Sequence, residues 1–300
     1  MAAYSIRNQL KRLQPSPGVK MPALDELVQL CTETGAPVSH IAYPSDRPVF
    51  WIKYGDGIDW SEVVAQDVAH QELQHLDTSV RAPGIFCAYE IETRQTYQED
   101  VYIQAKTFII MEYMPGRTAK AYIEQQPQME HTVYQLIARA IMMLNQVPVP
   151  SDKAPSSISG GRIRHTIFGD NVQAPRTYKT VQQLQDHFNL FLAGTKNPRQ
   201  FSDLAKEPLI FCYSDIHLDN FIIDDRDQIS VVDFADTSYL PSSFQKFDLL
   251  GTREKLGFDL TAIVKTPATQ GIDNTAVLFE TYPSLVVSFS SFVKAGKMMP

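Results

Sequence analysis

The chain has 300 residues, of which 44% are hydrophobic, a length and composition that suit one large domain or two lobes around a shared cleft. Its net charge of −7 at pH 7 argues against a nucleic-acid partner and weakly favours a cationic small molecule over an anionic one. Three scattered cysteines without metal-ligand spacing predict a reducing compartment, the cytoplasm. We expect no membrane partner, because no apolar run approaches the roughly 20 residues of a membrane span.

The first part of the chain predicts a short helix, a strand and a longer helix. Residues 4–13 predict a short helix with its basic residues on the polar side. Residues 48–54 predict an apolar strand that carries Lys53. By pattern alone, we expect the stem of this lysine to lie along apolar surface with its charged end in solvent, rather than in contact with phosphate. Residues 60–76 predict a helix, on which Glu62 would by pattern alone be a solvated charge.

The middle of the chain predicts a buried strand, a turn and two core helices. The apolar run FIIM at residues 108–111 is followed by EYMPG, which is typical of a buried strand that leads into a Pro-Gly turn. Residues 131–146 and 180–193 show the 3.6-residue apolar period of helices packed on a core. Between them lies a linker rich in Pro, Ser and Gly. We interpret its small basic cluster as a solvated loop, formed by Arg162, Arg164 and His165.

Three polar residues stand at the ends of short apolar strands farther along the chain. Asp215 and Asn220 lie between two strands, and Asp233 follows a third. The predicted strands are Leu209–Phe211, Phe221–Ile223 and Ile229–Val232. The pattern predicts one hairpin that presents two carboxylates and an amide, which suits a proton acceptor and oxygen ligands for Mg²⁺ in phosphoryl transfer. A hairpin with an ordinary polar loop stays open as the alternative, because Asp and Asn are common turn residues.

The same stretch resembles a known family of enzymes. YSDIHLDNFIID resembles the HGDLHxxNILVD motif of the aminoglycoside phosphotransferase and choline kinase-like family. VVDFADTSYLPSSF resembles the IDWExAGxxPxxW segment of that family, with Asp233, Pro241 and Phe244 in register. The KYG at Lys53 is typical of a branch of the family common in fungi. The resemblance covers roughly residues 48–245, and four positions depart from it: Tyr213, Ser214, Ala235 and Ser238.

The resemblance implies a fold and a division of the chain. The fold would be α+β, a bilobal protein-kinase-like fold with a small antiparallel-sheet N-terminal lobe and a larger, mostly helical C-terminal lobe. Residues 1–115 would form the nucleotide-binding lobe, and residues 116–300 the catalytic and substrate-binding lobe.

The resemblance also implies an activity, the ATP- and Mg²⁺-dependent phosphorylation of a hydroxyl group on a small molecule. Asp215 maps to the catalytic base of the family, and Asn220 and Asp233 map to its two metal ligands. Lys53 maps to the strand lysine that pairs with the nucleotide phosphates.

Further residues of the nucleotide site follow from the same resemblance. SEVVAQ resembles the xEAxxQ segment of the family, which makes Glu62 the residue that orients Lys53, with Glu72 as the second choice. The lobe hinge falls after the FIIM strand. There the backbone groups of Glu112, Tyr113 and Met114 would hydrogen-bond adenine.

Two other functions stay open on the sequence. The departures at Tyr213, Ser214 and Ala235, with the absence of a glycine-rich phosphate loop, fit a catalytically weak or inactive pseudokinase that binds a nucleotide or a protein. A protein kinase is disfavoured, because no APE-like segment or long activation loop follows Asp233.

Aminoglycosides, choline-like alcohols, sugars and specialised metabolites all remain possible acceptors. Candidates for an acidic acceptor rim are Asp236, Asp248 and Asp259.

Overall fold

The computed structural model describes residues 4–31, 39–76, 79–97, 100–195 and 199–299. The first part of the chain is a five-stranded antiparallel sheet with one helix packed against each face. In their order across the sheet, the strands are β1 (Tyr4–Lys11), β5 (Ile85–Tyr97), β6 (Asp100–Glu112), β3 (Phe50–Gly55) and β2 (Ser39–Tyr43). The two helices are α1 (Leu24–Leu30) and α2 (Trp60–Leu76).

The N-terminal segment is a strand, so the helix predicted over residues 4–13 is wrong. β1 pairs antiparallel with β5, from Tyr4 opposite Thr93 to Lys11 opposite Cys87. The backbone groups of β1 are thus satisfied by a partner far along the chain. Helix propensity is a local and weak signal, and a tertiary pairing of this length overrides it.

The alternation of side chains along β3 determines which way Lys53 points. Phe50 and Ile52 are buried in the cluster that includes α1, whereas Trp51 belongs to the cluster on the α2 side. Successive side chains leave a strand on opposite faces. Lys53 therefore shares the face of Trp51 and is directed toward α2.

The second part of the chain is mostly helical and holds two small sheets. The short strands are β4 (Val80–Arg81), β7 (Arg117–Thr118), β8 (Ser156–Ser157), β9 (Leu209–Tyr213), β10 (Phe221–Ile223), β11 (Ile229–Val231) and β12 (Thr237–Pro241). They form sheets in the orders β4–β11–β10–β7 and β8–β12–β9. The helices are α3 (Ala119–Gln125), α4 (Glu130–Leu144), α5 (Val181–Ala193), α6 (Ser242–Leu256), α7 (Thr275–Val287) and α8 (Phe289–Lys297).

The three strands near the predicted catalytic residues form, but they do not make one hairpin. β10 pairs with β11, whereas β9 pairs with β12 in the other sheet. The expectation that a single hairpin presents Asp215, Asn220 and Asp233 is therefore wrong. The loop between β9 and β10 crosses from one sheet to the other, and Asp215 and Asn220 lie on this crossing. A short strand can pair with several partners, and its own sequence does not select among them.

The expected α+β, bilobal, kinase-like fold is confirmed by the antiparallel first sheet and the mostly helical remainder. The large core of the second part surrounds the apolar face of α4, including Ile137 and Ile141. Ala65 and Ala69 of α2 reach into this same core, and β4 pairs in parallel with β11. The helix that carries Glu62 is thus packed against both parts of the chain. The division at residue 115 stays a prediction.

Two features bear on the environment of the chain. Cys31, Cys87 and Cys212 are free thiols, and all three are buried. In the part of the chain that the structure describes, no single helix has both the length and the apolar composition needed to cross a membrane. Among the described residues, one pair of helices, α7 and α8, has that length and composition when the two are counted together, and these helices meet at a bend of 101°.

Gly116 occupies a position between β6 and β7 where the backbone leaves no room for a side chain. Its φ is +131°, in the region that favours glycine. A Cβ atom there would clash with the carbonyl oxygen of Ile223 and lie 2.8 Å from its carbonyl carbon. Because both obstacles are backbone atoms of the paired strand β10, a rotamer change cannot relieve them.

We expect Gly116→Ala to lower the free energy of unfolding by about 2 to 4 kcal/mol, because it adds a backbone clash to the conformational strain. Urea unfolding measures the loss. Gly160→Ala is the matched control, since Gly160 has a φ of +94° and open space around its Cα. An equal loss in the two variants would contradict the clash at Gly116.

Candidate active site

A cleft of about 430 Å³ lies beside the end of β6. All the residues proposed from the sequence for the nucleotide and metal sites line it, and Asp215 is hydrogen-bonded to one of them. The residues proposed from the sequence that line the cleft are Lys53, Glu62, Glu112, Tyr113, Met114, Asn220 and Asp233. Pockets that bind small ligands commonly enclose about 300 to 1,000 Å³. The cleft is therefore large enough for a small-molecule ligand.

Lys53 connects three separate elements at the inner end of the cleft. Its Nζ lies 2.6 Å from Glu62 Oε1 on α2 and 3.0 Å from Asp233 Oδ1, just beyond β11. The side chains of Lys53 and Glu62 are only 13% and 5% exposed, whereas Asp233 is partly open to solvent. Glu62, rather than the second choice Glu72, is thus the α2 carboxylate on Lys53.

Burial and mutual attraction shift the proton affinities of this pair. Burial raises the pKa of Glu62 to about 7, although the positive charge of Lys53 opposes the shift. Burial lowers the pKa of Lys53, but the negative charges of Glu62 and Asp233 outweigh it, so that its pKa is raised overall. Lys53 therefore keeps its positive charge at neutral pH, while Glu62 titrates close to neutrality.

The segment after β6, the predicted hinge, is held by backbone bonds that limit which of its groups can meet a ligand. The N–H of Glu112 donates to Gly84 O at 2.9 Å, and the N–H of Tyr113 donates to Val49 O at 3.0 Å. Gly84 N–H in turn donates to Glu112 Oε2 at 2.8 Å. Met114 is then the hinge residue whose N–H has no backbone partner among the described residues.

Aromatic side chains line the cleft close to the hinge. The rings of His40 and Trp51 are stacked with centroids 4.6 Å apart and planes 22° apart. The ring centroid of Tyr113 lies 6.3 Å from that of Trp51. Ile222 lines the same cleft from the second part of the chain. This end of the cleft can accept a flat, apolar ring system.

The loop between β9 and β10 brings Asp215 and Asn220 together. Asn220 Nδ2 donates to Asp215 Oδ2 at 2.9 Å and to the backbone oxygen of Asp215 at 3.0 Å. His217 Nε2 lies 3.1 Å from Asp215 Oδ1. The amide nitrogen of Asn220 is engaged in this way, which leaves its side-chain oxygen as the atom directed to other ligands.

Asp233 has a left-handed backbone with a φ of +61°, which is rare outside glycine. Asp tolerates this conformation better than most residues. The buried hydroxyl of Tyr213 donates to Val232 O at 2.9 Å, immediately before Asp233. The backbone oxygen of Asn220 also accepts from Val232 N–H at 3.0 Å. Tyr213, one of the departures from the family motif, therefore fixes the peptide that leads into Asp233.

Arg164 is mostly buried beside the Asp233 loop, so its interpretation as part of a solvated basic cluster is wrong. Its Nε donates to Ala235 O at 2.7 Å, and its guanidinium lies 3.2 Å from Asp236 Oδ1. Ser238 Oγ accepts from Arg164 N–H and donates to Arg164 O. Burial raises the pKa of Asp236, and Arg164 opposes this shift.

His165 is also fully buried, which the composition of its linker does not indicate. Its Nε2 lies 2.9 Å from Asp248 Oδ2, and its Nδ1 accepts from Ile167 N–H, so Nε2 carries the proton. Asp248 is therefore a buried partner rather than part of an acidic rim. Burial raises the pKa of the adjacent Cys212 thiol well above its ordinary value. His165, Cys212 and Asp248 thus form a compact polar cluster buried in the core.

Asn220 and Asp233 fit a hard divalent cation. They offer an amide oxygen and a carboxylate, the oxygen ligands that Mg²⁺ prefers. The surrounding charge is also suitable, because among the described residues four carboxylates meet here and only two permanent cations lie among them. The carboxylates are Glu62, Asp215, Asp233 and Asp236, and the cations are Lys53 and Arg164.

A model of the phosphotransferase enzyme family (APH) matches residues 46–243, about two-thirds of the chain. No curated protein matches the chain.

Three solved structures are similar to the chain at low identity. Aminoglycoside phosphotransferase APH(4)-Ia is 12% identical, with a TM-score of 0.45, and the match covers 88% of this chain and 81% of that one. Spectinomycin phosphotransferase in complex with ADP and spectinomycin is 12% identical, with a TM-score of 0.40 and coverages of 88% and 89%. Plasmodium vivax ethanolamine kinase is 13% identical, with a TM-score of 0.35 and coverages of 86% and 69%.

The raised pKa of Glu62 predicts a pH dependence of stability. Between its ordinary pKa of 4.5 and its folded pKa of about 7, the folded protein retains the Glu62 proton that the unfolded chain releases. The Glu62 contribution to stability therefore falls as the pH rises through this window, by about 3 kcal/mol. Urea unfolding of wild type and Glu62→Gln at pH 5, 6, 7 and 8 measures it. Glu72→Gln is the matched control on α2, and a wild-type advantage that grows with pH would contradict the shift.

Proposed function

Because the chain belongs to the phosphotransferase enzyme family, we propose that it transfers the terminal phosphoryl group of ATP, with Mg²⁺, to a hydroxyl group of a small molecule. The observation that carries this proposal is the position of Lys53 between Glu62 and Asp233, in a cleft that also holds Asn220. Phosphoryl transfer depends mainly on positioning and on neutralising charge. The buried Lys53 supplies the positive charge, and its two carboxylate partners hold it in position. A third carboxylate, that of Asp215, is held by a hydrogen bond from Asn220.

The nucleotide would lie along the cleft with its base at the hinge. The N–H of Met114, without a backbone partner among the described residues, and the carbonyl oxygens of Glu112 and Tyr113 would meet the edge of adenine, while Trp51 and Ile222 cover its faces. Lys53 would contact the phosphates. The connection between β2 and β3 contains no glycine, so we assign the phosphates to Lys53 and the metal rather than to a glycine-rich loop.

Asn220 and Asp233 would hold the Mg²⁺ through the amide oxygen and the carboxylate. When bound, the ion supplies positive charge that neutralises and orients the phosphates. Lys53 already donates to Asp233 Oδ1, so it fixes the orientation of this carboxylate. The bond from Asn220 Nδ2 to Asp215 has the same effect on the amide group.

Asp215 would act on the acceptor hydroxyl. It accepts the proton of that hydroxyl as the new oxygen–phosphorus bond forms and the bond to the leaving nucleotide breaks. Its carboxylate is oriented by Asn220 and by His217, which occupy different oxygen atoms. The acceptor is a small hydroxyl compound, and the excess of carboxylates in the site favours a cationic one.

A protein that only binds nucleotide or another protein is the second candidate, and the departures from the family motif were its main support. Three of those departures make hydrogen bonds that hold the loops of the site. Tyr213 bonds to Val232 O, Ser238 bonds to the backbone of Arg164, and Ser214 Oγ donates to Asp236 O at 2.8 Å. These bonds favour a site held in a working geometry, so we propose an active enzyme.

The test compares nucleotide binding and turnover in two variants. We expect Mg²⁺–ATP to stabilise the wild type by about 2.7 kcal/mol when its concentration is 100 times the dissociation constant. Asp233→Asn should lose the Mg²⁺-dependent part of this stabilisation. Asp215→Ala should keep it and lose turnover by about 10²-fold to 10⁴-fold. Thermal denaturation with and without Mg²⁺, followed by a screen of hydroxyl acceptors, measures both effects.

Asp225→Asn is the matched control, because its side chain is 98% exposed on the turn between β10 and β11. It should respond to Mg²⁺–ATP as the wild type does. A wild type that does not respond at millimolar nucleotide would refute the proposed function. Equal turnover by wild type and Asp215→Ala would refute the role of Asp215 alone.

A further inference from the structure

The residues just after β1 connect the N-terminal strand to the helix that carries Glu62. The β1–β5 pairing continues past the end of β1, since Arg12 N–H donates to Phe86 O at 3.1 Å and Leu13 N–H donates to Ile85 O at 3.0 Å. This segment lies outside residues 46–243, the part of the chain that matches the family model. Its contacts therefore join residues outside the family match to residues inside it.

Arg12 contacts the carboxylate of Asp67 on α2 through two of its guanidinium nitrogen atoms. Its Nε lies 3.0 Å and 2.9 Å from the two carboxylate oxygens, and one terminal nitrogen lies 2.8 Å from Oδ2. The side chain of Asp67 is only 8% exposed, and Gln71 donates to its Oδ1 at 3.0 Å. A planar guanidinium on a carboxylate fixes direction as well as distance, which a single surface ion pair does not.

Asp67 is close to Glu62 on the same rigid element. They are five positions apart in the sequence, which corresponds to about 7.5 Å along a helix axis. The neighbouring Gln66 donates to Pro83 O, and His70 Nδ1 lies 2.8 Å from Ala82 O. These contacts hold α2 to the segment before β5, and Arg12 holds it to the end of β1.

The same segment also contacts the hinge through Gly84. A Cβ atom on Gly84 would clash with Leu13 Cδ1, so the leucine side chain is packed directly on this glycine. Gly84 exchanges two hydrogen bonds with Glu112, the first hinge residue. The N-terminal segment thus touches both the helix that presents Glu62 and the strand end that leads into the hinge.

We propose that Arg12 is a positioning residue that fixes α2 where Glu62 meets Lys53. The 2.6 Å contact between Lys53 and Glu62 joins a strand to a helix, so a small displacement of α2 lengthens it. Because the Arg12 side chain is 48% exposed, water takes the place of the lost guanidinium at Asp67, and α2 loses the ion pair that joins it to the end of β1. The effect of Arg12 on nucleotide binding rests on the proposed function, whereas its effect on α2 does not.

The first measurement is hydrogen–deuterium exchange of the full chain without nucleotide. In Arg12→Gln we expect amide exchange across Trp60–Leu76 to accelerate by about threefold or more, because the helix is held less firmly. Arg12→Lys should give an intermediate result, since lysine keeps the charge but not the fork. Arg7→Gln is the matched control on β1, because Arg7 pairs with Glu90 and Glu92 of β5 and not with α2.

The second measurement is the dissociation constant of Mg²⁺–ATP in the same variants. We expect Arg12→Gln to weaken binding by about tenfold, because a displaced Glu62 orients Lys53 less well. In a Glu62→Gln background, Arg12→Gln should cause no further loss, since Arg12 acts through Glu62. Arg7→Gln should bind as the wild type does.

The two measurements separate this proposal from the proposed function. Unchanged exchange across α2 in Arg12→Gln, or equal acceleration in Arg7→Gln, would overturn the positioning role whatever the nucleotide does. Additive losses in the double variant would overturn the link to Glu62. A wild type that binds no nucleotide would refute the proposed function, and the exchange data would still decide the position of α2.

Discussion

The charge contact of Lys53 with Glu62 and Asp233 is the interaction on which the rest of the site depends. It joins the first sheet, α2 and the loop after β11, and Asp233 is 180 residues away from Lys53 in the sequence. Burial makes the contact costly for Glu62, whose pKa rises to about 7, and the positive charge of Lys53 limits that rise. A lysine held between two carboxylates has a fixed position before any ligand arrives. Such preorganisation is what charge stabilisation in phosphoryl transfer requires.

A second layer of buried polar contacts holds the loops around this lysine. Gln245 exchanges two hydrogen bonds with the backbone of Tyr213, at 3.2 Å and 3.1 Å, and Tyr213 in turn fixes Val232 before the left-handed Asp233. Arg164 holds the chain just after Asp233 in a similar way, because its Nε donates to Ala235 O. Residues in rare backbone conformations persist only where their surroundings over-determine them. The departures from the family motif belong to this supporting layer rather than to the reacting groups.

The sequence predicted those parts of the site that depend on local pattern and spacing. The apolar alternation around Lys53 and the strand ends at Asp233 are local features, and the family resemblance added Glu62, which pattern alone placed in solvent. The contacts of Arg12 with Asp67 and of His165 with Asp248 could not be predicted, because each joins residues far apart in sequence. The pairing of β9 with β12 rather than β10 could not be predicted for the same reason, since β9 and β12 are not neighbours in sequence. Periodicity reports which face of an element is buried, and not what covers it.

The most direct test of this account is the affinity of Mg²⁺–ATP for the wild type and for Lys53→Met, measured by isothermal titration calorimetry. Methionine keeps much of the apolar stem and removes the charge, and Glu62 then takes up a proton rather than remaining an unpaired buried anion. The account predicts that affinity falls by about tenfold or more, because the phosphates lose a charge-assisted contact. Equal affinity in the two proteins would contradict it.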